Sequence, residues 1–142
     1  MSGCKMLLLA VDKSEQSTKA AVVARDLARA CGATVHVFHA RKHEQIAGRG
    51  GGSFEIESEE EARSLVVEEV AVLEEAGVSV EVDVRRTLAE DTYRAILDVA
   101  DAISADIIVM GSRGLSPLGA MVLGSTTYKV LHASTRPVLV VP

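Results

Sequence analysis

Four times along this chain a short apolar run is followed by a longer segment whose apolar residues recur every three to four positions, and a fifth apolar run closes it. The first run, Met6-Leu7-Leu8-Leu9-Ala10-Val11, contains no polar residue, as expected of a strand buried on both faces of a parallel sheet. Asp12-Lys13-Ser14 ends it, and Ala20, Ala24, Leu27, Ala28 and Cys31 then fall at helical spacing, with Ser14 as N-cap and Gly32 as the stop. Thr34 to Ala40 reads as the second strand. Ser58 and Glu61 form a capping box before a helix carrying Ala62, Leu65, Val66, Val70 and Leu73, ended at Gly77. Val78, Val80, Val82 and Val84 alternate with Ser79, Glu81 and Asp83, which predicts a third strand with one wet face, at or near a sheet edge. Thr87 and Glu90 offer another capping box before Tyr93, Ile96, Leu97, Ala100 and Ile103. Asp106 to Met110 is the fourth strand and Val138 to Val141 the fifth.

Such alternation needs a helical crossover between each pair of parallel strands. The expected architecture is therefore α/β: a single doubly wound, Rossmann-like domain over residues 1–142, with a five-stranded parallel sheet in the order 3-2-1-4-5 and helices on both faces. Residues 41–57, with Gly48, Gly50, Gly51 and Gly52 among charged side chains, are expected to form a flexible surface loop without chemistry of their own. In doubly wound sheets ligands bind beyond the carboxyl ends of the strands, where strand order reverses. Asp12, Ala40 and Met110-Gly111 stand at three such ends and are expected to converge on one crevice.

The last of these ends opens the richest stretch. Met110-Gly111-Ser112-Arg113-Gly114 is followed nine residues later by Gly124-Ser125-Thr126-Thr127 and a helix-compatible segment. Glycines let a backbone approach a ligand closely, and the first turn of the next helix offers open N–H groups and the positive end of its dipole. Arg113 can offset phosphate charge, and Ser125 and Thr126 supply hydroxyls. Leu115 to Gly119 has the makings of a short helical turn, with Ser116 as cap and Pro117 in the first position.

Composition removes several alternatives. A net charge of -5, with scattered Lys and Arg, gives no support for sequence-independent nucleic-acid binding. No stretch approaches the ~20 apolar residues of a membrane span, and Met6 to Val11 is too short for a secretory signal, so a cytoplasmic location and no membrane partner are expected. With two Phe, two Tyr and no Trp, the core must be built from Val, Leu, Ile and Ala. Cys4 and Cys31 have no metal-ligand spacing; Cys31 is expected to be a small buried hydrophobe and Cys4 a near-terminal thiol. His36 and His39 point to opposite faces of a strand, and with His43 and His132 they make no metal set. A receiver-domain reading of Asp12 fails because its neighbour is Lys13, the third strand ends in Arg85-Arg86, and the fifth ends Val141-Pro142. Neither a Walker-type Gly-Lys-Ser/Thr run nor a Ser-His-Asp arrangement can be assembled, which leaves no evident catalytic residue.

Gly111-x-x-Gly114, nine residues, then Gly124-Ser125, with Ala10-Val11-Asp12-Lys13-Ser14 near the start and Arg136-Pro137-Val138-Leu139-Val140-Val141 at the end, resembles the universal stress protein family. The glycine pattern is similar to the signature of its ATP-binding branch, and the resemblance runs from residue 5 to 142. It implies that Asp12 and the backbone around Ala40 hold adenosine beside Met110 and Gly111, while Gly111, Arg113, Gly114, Gly124, Ser125 and Thr126 surround the ribose and phosphates. It also implies ATP as ligand, with Mg2+ or Mn2+, and a homodimer through Val138 to Val141, an apolar strand whose open edge would otherwise invite aggregation. The chain departs from many relatives at Thr87-Leu88-Ala89, where they carry a glycine. The expected function is an ATP-binding stress-response protein, a dimeric switch whose nucleotide state alters the surface shown to a partner protein. The alternatives are a slow ATPase or phosphate-transferring enzyme of the wider adenine-nucleotide-binding superfamily, and a dimeric scaffold that binds no nucleotide.

Overall fold

The protein is described by a computed structural model at residues 3–45, 51, 53–55, 57–112 and 123–142. Strand β1 (Met6–Val11) leads through Ser14, whose hydroxyl accepts the Ser17 N–H, into helix α1 (Glu15–Cys31). Gly32 ends that helix at φ 70°, a left-handed conformation that costs glycine nothing. Strand β2 (Thr34–Gln45), a short strand β3 (Ser53–Glu55), helix α2 (Glu59–Glu74), strand β4 (Val80–Leu88), helix α3 (Thr92–Ala102), strand β5 (Ile107–Gly111), helix α4 (Ser125–Ala133) and strand β6 (Val138–Val141) follow.

The parallel strands lie in the order β4-β2-β1-β5-β6, which is the expected 3-2-1-4-5. β1 is central because both faces of its apolar run are covered. Leu7, Leu9 and Val11 pack with Val35, Val37 and Val109 under Ala20, Ala21, Ala24 and Ala28 of α1 and Leu73 of α2. Leu8 points the other way, with Phe38, Ile108 and Met110, against Ile96 and Val99 of α3 and Val130 of α4. Small alanines on α1 let that helix sit close to the sheet.

Four expectations need correction. β2 does not stop at Ala40; it continues to Gln45, and β3 pairs antiparallel with its last residues, His43 opposite Glu55. β1 ends opposite His39 while β4 follows the other edge of β2 as far as His43, so the extension of β2 has one bare edge, and β3 fills it. The stretch expected to be a loop thus contributes two pieces of strand. Next, the valine face is buried only at its start: Val78, just before β4, and Val80 reach the α1/α2 core, while Val82 and Val84 are 49% and 44% exposed because α2 covers only the base of the strand. Thr87 is no helix cap either, since β4 runs through Leu88, a 3-10 turn follows at Ala89–Asp91, and α3 starts at Thr92. Finally, the cysteines exchange places: Cys31 is exposed, beyond the reach of the sheet at the end of α1, and Cys4 is half-buried against the core.

Candidate functional site

A cleft enclosing about 430 Å3, open mouth included, lies at the carboxyl ends of the central strands. β1 supplies Ala10, Val11 and Asp12; β2 supplies Phe38, Ala40 and Lys42; β5 supplies Met110 and Gly111. The remaining walls come from the first turns of three helices, with Ser17 from α1, Thr92 from α3, and Thr126 and Thr127 from α4. The cleft stands where β2 and β5 leave β1 on opposite sides, the point at which strand order reverses. Three helix N-termini and a lysine around one opening form an environment suited to an anion.

The local bonding fixes these walls. The Asp12 N–H donates to Ser17 Oγ at 2.9 Å, and Asp12 Oδ1 accepts the Ser14 N–H at 2.8 Å, so the turn out of β1 is tied to the first turn of α1 on both sides. A Cβ on Gly111 would stand 2.7 Å from the Gln16 carbonyl carbon and 2.8 Å from the Ser17 nitrogen. Glycine is required there so that β5 can pass under the start of α1. α4 is docked with equal economy: Thr127, fully buried, donates its hydroxyl to the Gly111 carbonyl at 2.9 Å, and the Gly124 N–H donates to the Ser112 carbonyl at 2.9 Å. Gly124 is the N-cap of α4, and among the described residues no side chain caps the helix, so its first N–H groups lack the usual hydroxyl or carboxylate acceptor there. Ser112 Oγ is buried and has no hydrogen-bond partner among the described residues.

Behind the β1 turn lies a buried polar chain. His39 Nδ1 donates to the Val11 carbonyl at 2.7 Å, which fixes the proton on that nitrogen, and Nε2 meets Glu57 Oε1 at 2.6 Å. Lys13 approaches Glu57 at 3.9 Å and bonds Glu61. The bond to Glu61 raises the Lys13 pKa, and the same bond lowers that of Glu61. On α2, Glu69 is buried, receives the Thr18 hydroxyl at 3.4 Å and leaves Oε2 without a partner. Burial pushes its carboxyl up to about 6.

Of the residues expected from sequence, Asp12, Ala40, Met110, Gly111 and Thr126 line the cleft. Ser125 is the first residue of α4 and Gly124 its cap; both lie beside the opening rather than in its lining. Arg113, Gly114 and the turn expected at Leu115 to Gly119 lie outside the described residues. Lys42, Thr92 and the His39–Glu57 pair were not foreseen. Lys42 belongs to the β2 extension, and its place opposite Thr87 could be read only with the strand register in hand. Among the described residues no three His, Cys, Asp or Glu side chains group closely enough to hold a metal ion, and no helix is long and apolar enough to cross a membrane.

Comparison with known proteins points in one direction. The profile of the universal stress protein family matches residues 4–142. A universal stress protein of Thermus aquaticus is 36% identical over 137 residues, covering 96% of this chain and 98% of that protein. The structure of a universal stress protein from Archaeoglobus fulgidus superposes with a TM-score of 0.76 at 26% identity, over 99% of this chain and 100% of the other. A universal stress protein from the same organism, solved in complex with dAMP, superposes with a TM-score of 0.71 at 24% identity over the full length of both chains.

Proposed function

The chain belongs to the universal stress protein family, and from that premise we propose that its cleft binds an adenine nucleotide, ATP in the cell, and that the protein works as a nucleotide-dependent homodimeric switch in the cytoplasm. The observation that carries this reading is the convergence of the β1, β2 and β5 ends with three helix N-termini on one opening. The dAMP complex of the Archaeoglobus fulgidus relative supports adenine as the base. Asp12 and the Ala40 backbone face the adenosine part, beside Met110 and Gly111. Thr126 lies in the wall where the phosphates run, beside Gly124 and Ser125 at the start of α4; Arg113 and Gly114, outside the described residues, are assigned to the phosphates from the glycine pattern alone. Lys42 adds a cation that the glycine pattern does not include. A divalent ion, Mg2+ or Mn2+, rides on the phosphates, since the described residues offer it no protein cage. Among the described residues lining the cleft the only carboxylate is Asp12, whose Oδ1 accepts the Ser14 N–H, and none is a histidine, which favours a site that holds nucleotide more readily than it turns it over.

Among the described residues β6 pairs only with β5 and ends the sheet, with Leu139 38% exposed. A second copy pairing along Val138 to Val141 covers that edge.

The test is calorimetric titration with ATP, ADP, AMP and cyclic AMP, with and without Mg2+, on the wild-type chain and on a Gly114→Val, Gly124→Val variant. ATP is expected to bind the wild type and to bind the variant at least about tenfold more weakly. Binding to neither, or equally to both, overturns the assignment. Multiple-turnover hydrolysis above roughly 1 s-1, the pace of ordinary enzymes, would instead establish an enzyme.

A further inference from the structure

The two cysteines lie at the opposite end of the sheet from the cleft, and nothing in the proposed site uses them. Cys4, just before β1, is half-buried and packs against the core with Leu27 of α1. Cys31, the last residue of α1, is exposed, and its thiol donates to the Leu27 carbonyl at 2.8 Å. The chain brings the two together by its own turn. Gly32 reverses direction in the left-handed conformation, and the Thr34 N–H then donates to the Lys5 carbonyl at 2.9 Å, fastening the residue after Cys4 to the strand that begins three residues past Cys31. Cys4, at the entry of β1, and Cys31, at the end of α1, are thereby set at the same corner of the fold. Burial first, and then the hydrogen bond and charge of Cys31, push the Cys4 thiol up to about 11.

We propose that Cys4 and Cys31 are a hydroperoxide-responsive thiol pair that closes to an intramolecular disulfide, stapling the entry of β1 to the end of α1. The division of labour follows from exposure. Cys31 meets solvent and attacks as its thiolate, since the thiolate is the nucleophile. It breaks the O–O bond of hydrogen peroxide, becomes a sulfenic acid and releases hydroxide, which takes up the thiol proton as water. Cys4, half-buried and protonated until its neighbour changes, then attacks the Cys31 sulfur. The S–O bond breaks, the departing hydroxide collects the Cys4 proton, and the balance is two thiols and one peroxide to one disulfide and two waters. The elements joined are adjacent and already tied by a backbone bond, and closure requires the Cys31 thiol to leave the Leu27 carbonyl.

The experiment treats the reduced full-length chain with one to five equivalents of hydrogen peroxide, alkylates the remaining thiols and maps peptides by mass spectrometry without reductant. The expected product is a single chain lighter by two hydrogens, carrying a linked Cys4–Cys31 peptide, with both alkylation sites lost together and restored by dithiothreitol. Its thermal midpoint should rise by about 5 °C, because the staple restricts the unfolded chain. Cys4→Ser should leave Cys31 as a trappable sulfenic acid, and Cys31→Ser should leave Cys4 slow to react; circular dichroism checks that both variants fold. Any of three results overturns the proposal: both thiols still alkylatable after peroxide, Cys31 oxidised with no link to Cys4, or a link formed only between chains. None of them bears on whether ATP binds.

Discussion

On one flank of β1, where β2 and β4 lie, the described residues bury His36, His39, Glu57 and Glu69; on the other, where β5 and β6 lie, the buried polar side chains among the described residues are hydroxyls, those of Ser112, Thr127 and Ser17 above Gly111. The first flank is held by contacts between imidazole and carboxyl side chains. His39 links the Val11 carbonyl to Glu57, and His36 lies 3.1 Å from Glu81 and 3.8 Å from Asp83. The second is held by close approach, with Gly111 under α1 and Thr127 bonded to the Gly111 carbonyl. The outer edges differ in the same sense. β4 carries Glu81, Asp83, Arg85 and Arg86, charges that discourage strand addition, whereas β6 is Val-Leu-Val-Val. One flank ends in a charged edge, and the other in an apolar edge that the proposed dimer would cover.

The tightest contact gives the largest expected effect. Gly111→Val places a branched side chain where even one Cβ would stand 2.7 Å from the backbone of Gln16, an atom that cannot swing aside. Overpacking of this kind costs about 3 kcal/mol, and a urea titration should show at least that loss. A midpoint within experimental error of the wild type would show that α1 and β5 are not locked together and that the second flank is looser than drawn.

The next effect separates the two edges. Leu139→Lys should convert the proposed dimer to monomer by light scattering after size exclusion, because a lysine ammonium cannot be left in an apolar strand pairing. Val82→Lys, a comparable change on the already charged β4 edge, should leave the mass unchanged. The reverse outcome would move the interface to β4, and a wild-type chain that is monomeric would remove it.

Much of this was legible because burial on both faces leaves an unbroken apolar run, and β1 and β5 each write one. The convergence of Asp12, Ala40, Met110 and Gly111 followed from topology alone: parallel strands put all their carboxyl ends on one side. The failures share another cause. β3 exists only because β2 outruns β1, and strand length relative to a neighbour leaves no mark in a period of two. Cys31 continues the apolar stripe of α1, but the sheet beneath that stripe ends before the helix does. Glu69 shares the buried stripe of α2 with Ala62, Val66 and Leu73, where a search for apolar periodicity passes over a carboxylate. Lys42 entered the cleft through register, which no local pattern encodes.

Glu69 also gives the smallest and most diagnostic effect, because it tests whether the first flank carries its charges at a cost. Its carboxyl is raised to about 6 from the ordinary 4.5, burial being the main cause and the charges of Glu68 and Asp12 lesser ones. The folded chain therefore keeps this proton to higher pH than the unfolded chain does. The stability linked to it is fully present below about 4.5 and is lost as pH rises through about 6. Glu69→Gln removes the ionisation while keeping an acceptor for Thr18. The variant should match the wild type at pH 4 and exceed its thermal midpoint by about 2 °C at pH 7. Glu61→Gln is the control of opposite sign on the same helix: the exposed Glu61 carboxylate is lowered by Lys13, so its contribution is present above 4.5 and lost as pH falls. If both variants shifted the pH profile the same way, Glu69 would be solvated in solution, and buried charge would no longer distinguish the two flanks.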